Sequence, residues 1–177
     1  LGRGGGGRLG LGYGVWRGCV AVGGGGGGGG RCGGRLERFA DAQCRRIRAC
    51  DADEIVVVGH SVGAVLATET LARALERNPE LARSGPPVTL MTVGSSLLKI
   101  ALHPAARGLR RSIKRVLGAT DIAWIDYTAL VDPLNFYRTD PGKVLRLKAP
   151  RGPVIRTAKI RAMLGEAAYR QFKGDFL

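Results

Sequence analysis

Five consecutive residues have the types and the spacing that nucleophilic catalysis by a serine requires. Gly59 and Gly63 stand two residues on either side of Ser61, in the run Gly59-His60-Ser61-Val62-Gly63. A serine at the apex of a tight turn between a strand and a helix has a strained backbone that exposes its hydroxyl above the sheet. Larger side chains at the two flanking positions would collide in so tight a turn, so glycine is expected at both. The run therefore predicts a serine that attacks acyl groups.

The segments on either side of this run are those that such a turn needs. Residues 54–58 are mostly β-branched and predict a strand, and residues 64–77 are rich in helix formers, with Leu71 and Leu75 one turn apart. Since the first N–H groups of a helix are free and lie at its positive end, the Val62 N–H is expected to donate to an oxyanion. The order of strand, Gly-x-Ser-x-Gly and helix predicts a nucleophile elbow. A tight turn with an incidental serine is the alternative, and the flanking elements disfavour it.

A nucleophilic serine needs a general base, and a carboxylate to orient that base. The carboxylate is expected just beyond a strand, at the carboxyl edge of a parallel sheet. Asp132 fits this position, because it follows a predicted strand at 122–127 by a few residues and precedes Pro133. Asp126 is expected to lie inside that strand, and Asp140 to initiate a turn. Asp132 is therefore the first candidate for the acid, and Asp140 the second.

The chain contains two histidines, His60 and His103, and neither follows Asp132 as the order serine, acid, histidine would require. His60 is expected to point away from the nucleophile and to support the turn. His103 precedes Pro104 in a basic helical region and has the character of a surface or capping residue. It stays a candidate base because triads occur in more than one chain order. We expect the strand that delivers the catalytic histidine to be missing from this sequence.

Strands that alternate with helices predict an α/β fold with a mostly parallel sheet and helices on both faces. The three predicted strands are fewer than the roughly five or six of an average sheet. We therefore expect a truncated sheet from which strands are missing. The predicted elements are a helix at 35–50, strands at 54–58, 88–93 and 122–127, helical segments at 64–77 and 97–117, and a last helix at 161–172.

The first 34 residues differ in composition from the rest of the chain. They hold 19 of the 29 glycines, including an unbroken run from Gly23 to Gly30, and no acidic residue. Glycine loses the most backbone entropy on ordering and brings no side chain to bury. We therefore expect a disordered Gly/Arg-rich extension at 1–34 and a single incomplete domain at 35–177.

The net charge is +14, with 28 Lys and Arg against 14 Asp and Glu. Such an excess is typical of proteins that meet nucleic acid or an acidic membrane surface. The basic segments 99–115 and 138–161 contain no aromatic residues of the kind that stack on single strands, so nucleic acid is disfavoured. A solvated basic face is the simpler interpretation, and an anionic membrane surface stays open as a partner.

The chain has four cysteines, Cys19, Cys32, Cys44 and Cys50. They show no Cys-x-x-Cys pair and no histidine at zinc-finger spacing, so we expect no metal and no other cofactor. Cys44 and Cys50 fall in a predicted helix and are interpreted as small buried apolar residues.

No apolar run approaches the roughly 18 residues that span a bilayer. Since no signal-peptide pattern is visible, cytoplasm is the default compartment.

Three parts of the chain together resemble a known family. They are the run 54–64, the pair Gly94-Ser95 after the next strand, and the block from Trp124 to Asp140-Pro141 that contains Asp132-Pro133. These residues look like lipase-like α/β-hydrolases, especially bacterial ones related to class 3 lipases. The elbow is shared by the whole superfamily, whereas the other two parts are more restrictive. The resemblance covers residues 35–177.

The resemblance implies a serine hydrolase that cleaves carboxylic ester or lipid-like acyl bonds, with Ser61 as nucleophile and Asp132 as acid. The family's histidine and its early strands have no matching position here, so the resemblance implies a partial α/β-hydrolase fold that lacks its early strands and its last strand. A second hypothesis is a catalytically incomplete, hydrolase-like binder whose basic faces dock on an anionic membrane or on nucleic acid. Substrates of the first hypothesis would be small-molecule or lipid esters.

Overall fold

The computed structural model describes residues 31–49, 53–83 and 85–176. In these ranges the chain has an α/β fold, as predicted, with one all-parallel sheet of four strands. The elements in chain order are α1 (Arg31–Ala49), β1 (Ile55–His60), α2 (Gly63–Arg77), β2 (Val88–Val93), α3 (Leu97–Ala101), α4 (Arg107–Gly118), β3 (Ile122–Thr128), α5 (Pro141–Val144), β4 (Val154–Thr157) and α6 (Ile160–Phe176).

The register of the sheet aligns the carboxyl ends of its strands. Ile55 of β1 lies opposite Val88 of β2, and Val88 lies opposite Ile122 of β3. β4 is an edge strand that pairs with the second half of β3, where Val154 lies opposite Ile125. The loops that follow the strands therefore meet at one edge of the sheet, which is where open parallel sheets bind ligands.

The helices pack on one face of the sheet, so the prediction of helices on both faces is wrong for the described residues. α2 packs on β1 and β2, and both α1 and α4 pack on α2. On the opposite face, the side chains of Val56 and Val58 are 43% and 60% exposed. The reason is the strand order β1-β2-β3-β4, which never reverses. Right-handed crossovers that all advance in the same direction place their helices on the same side.

The core lies between the sheet and this helical layer. Leu71 of α2, Leu90 of β2 and Ile113 of α4 are fully buried. Leu71 and Leu75, which the sequence places one turn apart, both face inward, because residues at this spacing share one side of a helix. α2 is thus anchored along its length, and its first turn is fixed at the end of β1.

The start of α1 differs from the sequence prediction. α1 begins at Arg31, so its first turn overlaps the segment predicted as a disordered extension; residues 1–30, with Cys19, lie outside the described part, as does Cys50. Cys44 in α1 is half-buried, and its Sγ donates to the Ala74 carbonyl at 3.7 Å.

β4 is a strand that sequence analysis did not predict. The expectation that the strand delivering the catalytic histidine is missing stays a prediction, because β4 leads to no histidine. β4 is only four residues long and mostly exposed, so it has no buried periodicity and exists through its pairing with β3. Both histidines precede β4, and none follows it. Among the helices of the described ranges, none has the length and the apolar character needed to cross a membrane.

Candidate active site at the end of β1

Ser61 occupies the turn between β1 and α2 in a left-handed backbone conformation, with φ of 54°. Its N–H donates to the Val93 carbonyl at 3.0 Å, and its carbonyl accepts from Ala64 at 3.2 Å and from Ser96 at 3.3 Å. A residue with a side chain loses about 1–2 kcal/mol in this conformation. These hydrogen bonds to β2, to α2 and to the loop after β2 hold it there. The predicted strained serine of a nucleophile elbow is thus present in the backbone geometry.

The two glycines of the motif have different roles. An ideal Cβ on Gly59 would lie 2.6 Å from the Ala64 Cα and 2.7 Å from the Gly63 carbonyl oxygen, so the return of α2 over β1 excludes a side chain. The same construction on Gly63 meets nothing within 4 Å. The expectation of a collision is therefore confirmed for Gly59 and wrong for Gly63. Gly63 is already the first residue of α2, and a side chain there would project into open space.

Val62 presents a free backbone donor next to Ser61. It precedes the first residue of α2 with helical φ and ψ of −63° and −28°, and no side chain caps this end of the helix. Among the described residues, no acceptor is hydrogen-bonded to the Val62 N–H. The donor predicted for an oxyanion is therefore unoccupied and lies at the positive end of a helix of 15 residues.

Asp132 lies at the same edge of the sheet, above the end of β2. An ideal Cβ on Gly94, the residue after β2, would lie 2.7 Å from Asp132 Oδ2 and 3.9 Å from His60 Nε2. Both groups thus lie near Gly94, but no hydrogen bond or ion pair joins His60 to Asp132 or to Ser61 within the described residues. Gly94 has φ of 52° and donates its N–H to the Tyr127 carbonyl at 2.9 Å. The support role expected for His60 stays a prediction.

The loop that carries Asp132 is fixed by side-chain hydrogen bonds. Asp132 Oδ1 accepts from the Leu134 N–H at 2.8 Å, and Asn135 Nδ2 donates to the carbonyls of Ala129 and Asp132 at 2.9 Å each. Lys99 Nζ donates to the Pro133 carbonyl at 2.7 Å. These four hydrogen bonds hold the loop that carries the half-buried Asp132.

The other two carboxylates considered for the acid lie elsewhere. Asp126 is buried inside β3, as predicted, and accepts from the Thr92 hydroxyl at 2.6 Å. Burial raises the pKa of the Asp126 carboxyl, and the hydrogen bond from Thr92 lowers it in part. Asp140 caps α5 and accepts from the N–H groups of Gly142 and Lys143. The structure thus gives Asp126 a place in the core and confirms Asp140 as a turn residue.

His103 lies in the connection between α3 and α4, and its contacts are local. Its exposed Nδ1 accepts from the Ala105 N–H at 3.2 Å, and its carbonyl accepts from Arg110 at 2.9 Å. No hydrogen bond joins His103 to Ser61 or Asp132 within the described part of the chain. These contacts agree with the interpretation of His103 as a surface or capping residue. They give no support to His103 as the catalytic base.

Sequence analysis missed two residues of this region. Gly94 has a positive φ between β2 and α3 and leaves space for Asp132. The only sequence signal for this role of Gly94 was the Gly94-Ser95 pair after a predicted strand. Asn135 holds the Asp132 loop, and a lone asparagine gives no signal in a single sequence. The described residues contain no group of three His, Cys, Asp or Glu side chains that could hold a metal ion.

A wide groove with apolar walls opens beside the Asp132 loop. Leu130 and Val131, which are 74% and 63% exposed, form one wall together with Tyr137. Residues of α6 form the other wall, and Lys159 and Arg161 stand on it. Exposed apolar residues that cluster at a groove mark a surface for an apolar ligand.

Comparison of the chain with models of known protein families, with curated proteins and with solved structures finds no match.

Proposed function

We propose that this protein is a serine hydrolase that cleaves carboxylic ester or lipid-like acyl bonds through an acyl-Ser61 intermediate. The observation that supports it is the left-handed backbone of Ser61 between a parallel strand and a helix. Backbone strain of this kind clusters at active sites. Arg138 and Arg146 also have positive φ, so the argument rests on the position of the strained Ser61 between a strand and a helix. The free N–H of the next residue, Val62, would donate a hydrogen bond to the oxyanion that forms when Ser61 attacks an ester.

In the proposed reaction, Ser61 Oγ attacks the carbonyl carbon of the ester and transfers its proton to a base. The oxyanion that forms accepts a hydrogen bond from the Val62 N–H, and one such donor contributes about 3–4 kcal/mol to barrier lowering. The base then returns the proton to the leaving alcohol, and the acyl group stays on Ser61. Water attacks the acyl-enzyme by the same route and releases the acid.

The base must lie where Asp132 can orient it. Of the two histidines, His60 is the one whose Nε2 lies near Gly94, 3.9 Å from the position of an ideal Cβ that lies 2.7 Å from Asp132 Oδ2. Its imidazole is therefore the candidate proton acceptor among the described residues, in place of His103. A carboxylate next to an imidazole stabilises the imidazolium that forms during the attack.

The groove beside Asp132 supports an ester with an apolar acyl chain as the substrate. Leu130, Val131 and Tyr137 would contact the chain, and each buried methylene contributes about 0.8 kcal/mol. Lys159 on the opposite wall favours a substrate that also carries negative charge, whereas Arg161 there is already paired with Glu166. The proposed substrates are thus lipid-like rather than fully polar.

Labelling with a fluorophosphonate tests this function. The probe forms a covalent bond with a serine only when the serine is activated, so we expect labelling of the wild type at Ser61 and none of Ser61→Ala. Ser112→Ala, a change on α4, is the matched control and should label as the wild type does. A wild type that stays unlabelled at saturating probe would exclude the proposal.

One observation favours the second candidate function, binding to an anionic surface. Arg107, Arg111 and Lys114 are exposed on α4 at i, i+4 and i+7, so they share one side of the helix. None of them forms an ion pair with a residue in the described ranges, unlike Arg115, which pairs with Glu76. This side of α4 is thus an uncompensated basic stripe.

Vesicle binding tests the basic stripe. Vesicles of phosphatidylcholine with added phosphatidylserine should bind the protein, and binding should weaken with added salt, because each surface Lys or Arg contributes about 1 kcal/mol. Replacement of all three residues by glutamine should abolish the binding, and neutral vesicles are the control. Binding that does not depend on salt or on these residues would exclude this candidate.

A further inference from the structure

A small polar cleft lies under the Asp132 loop, between β2, β3 and the loop itself. Its polar lining comes from six residues: Thr92, Ser95, Trp124, Asp126, Asn135 and Thr139. The space that it encloses is about that of a single water molecule. The proposed reaction gives the cleft no role, although it joins the core of the sheet to the loop that carries the acid.

One buried polar atom in this cleft has no partner. Asn135 is only 8% exposed, and its Nδ2 makes two hydrogen bonds to carbonyls of the Asp132 loop. Its Oδ1 is buried and accepts no hydrogen bond from a described residue. A buried amide oxygen without a donor costs about 1–3 kcal/mol, so a donor at this position is strongly favoured.

Asp126 lines the same cleft from the sheet side. Trp124 Nε1 donates to Thr92 Oγ1 at 3.0 Å, and the Thr92 hydroxyl donates to Asp126 Oδ1 at 2.6 Å. Asp126 Oδ2 accepts no hydrogen bond from a described residue and, like Asn135 Oδ1, has room for a donor. A water molecule has two hydrogens and needs about two to four polar partners, which these two oxygens and the neighbouring hydroxyls supply.

We propose that Asn135 is a positioning residue for Asp132, and that one bound water bridges Asn135 Oδ1 to the Asp126 carboxyl. Asn135 Nδ2 ties both ends of the turn that carries Asp132, at Ala129 and at Asp132 itself. The water ties the other end of the amide to β3, so the loop is fixed to the sheet through one side chain. This inference rests on the proposed role of Asp132 in the reaction.

The first test measures the loop directly and needs no enzyme activity. In Asn135→Leu, amide hydrogen exchange of Asp132 and Leu134 should become at least ten-fold faster. Asn135→Asp should show the same change, because a carboxylate cannot donate to the two carbonyls. Gln43→Leu is the matched control, since Gln43 on α1 also has a buried amide oxygen without a partner and lies outside the cleft. Unchanged exchange in both Asn135 variants would overturn the positioning role.

The second test separates positioning from general stability. With a fluorophosphonate, Asn135→Leu should lower the rate constant of covalent labelling about ten-fold at a temperature where it is fully folded, as is usual when a supporting residue of a site is lost. The probe's dissociation constant should stay unchanged, because Asn135 does not contact the probe. An unlabelled wild type would exclude the hydrolase function and leave the exchange test decisive for the loop.

The third test concerns the water. A crystal structure at high resolution should show one water within hydrogen-bond distance of Asn135 Oδ1 and the Asp126 carboxyl. Asp126→Asn keeps groups that can bind this water and should preserve slow exchange in the Asp132 loop, whereas Asp126→Leu should lose it. A direct hydrogen bond between Asp126 and Asn135, with no water between them, would overturn the bridge.

Discussion

Gly94 and Asp132 lie so close together that no side chain fits at position 94 unless the Asp132 carboxylate moves. An ideal Cβ on Gly94 would lie 2.7 Å from Asp132 Oδ2, which is inside van der Waals contact, and Gly94 also has φ of 52°. The end of β2 thus depends on glycine for two independent reasons. The Asp132 carboxylate occupies the space that the Cβ of any other residue at position 94 would need.

Gly94→Ala should destabilise the protein by about 1–3 kcal/mol, because it adds a strained φ and displaces Asp132. It should also slow fluorophosphonate labelling of Ser61. Urea unfolding and labelling kinetics measure the two effects. Gly108→Ala is the control: it lies in α4 with nothing within 4 Å of the new Cβ, so it should be neutral or slightly stabilising. Equal effects of the two substitutions would contradict this account of Gly94.

Ser61→Gly should stabilise the protein by about 1 kcal/mol and abolish labelling. Glycine adopts positive φ without the steric penalty that Ser61 incurs at 54°. Ser61→Ala should abolish labelling as well but keep the strain. Thermal and urea unfolding of both variants measure the difference. If the glycine variant is no more stable than the alanine variant, the backbone of Ser61 is not strained.

Asp126→Asn should gain stability relative to the wild type as the pH rises. Burial raises the pKa of Asp126 in the folded state above its ordinary value of 3.8, so the folded protein keeps a proton that the unfolded chain loses. The stability of the wild type therefore falls from about pH 4 up to the raised pKa and is constant beyond it. Asparagine has no such proton.

The measurement for Asp126 is the free energy of unfolding of both proteins in urea at a series of pH values. The free energy of unfolding of the variant minus that of the wild type should increase over this pH window and then level off. The difference between the two proteins cancels the contribution of Glu69, whose pKa is also raised, by burial. A difference that is flat, or that falls with pH, would contradict the raised pKa of Asp126.

His60→Gln should slow labelling of Ser61 at least ten-fold, because general base catalysis contributes about 10²–10⁴-fold. His103→Gln is the matched control and should label normally, since His103 caps a local turn. The rate constant of labelling at fixed pH distinguishes the two. Normal labelling of His60→Gln, or slow labelling of His103→Gln, would show that His60 is not the base beside Asp132.

Local sequence determined the elements around the nucleophile. The strand at 88–93 has the bounds of β2, and the strands at 54–58 and 122–127 agree with β1 and β3 within two residues. The strained turn at Ser61 was also predictable, because a tight strand-to-helix connection depends on residues within a few positions of each other. The position of Asp132 at the edge where the parallel strands end was also predictable, because it follows β3 by a few residues.

The tertiary structure alone decided what depends on distant pairing. β4 is a strand because β3 offers it an edge, and the helices share one face because the strand order never reverses. The approach of His60 and Asp132 to Gly94 and the hydrogen bonds of Asn135 to the Asp132 loop arise where the ends of β1, β2 and β3 meet. Residues so far apart in the chain leave no common pattern in a single sequence, since their contacts exist only after the sheet has formed.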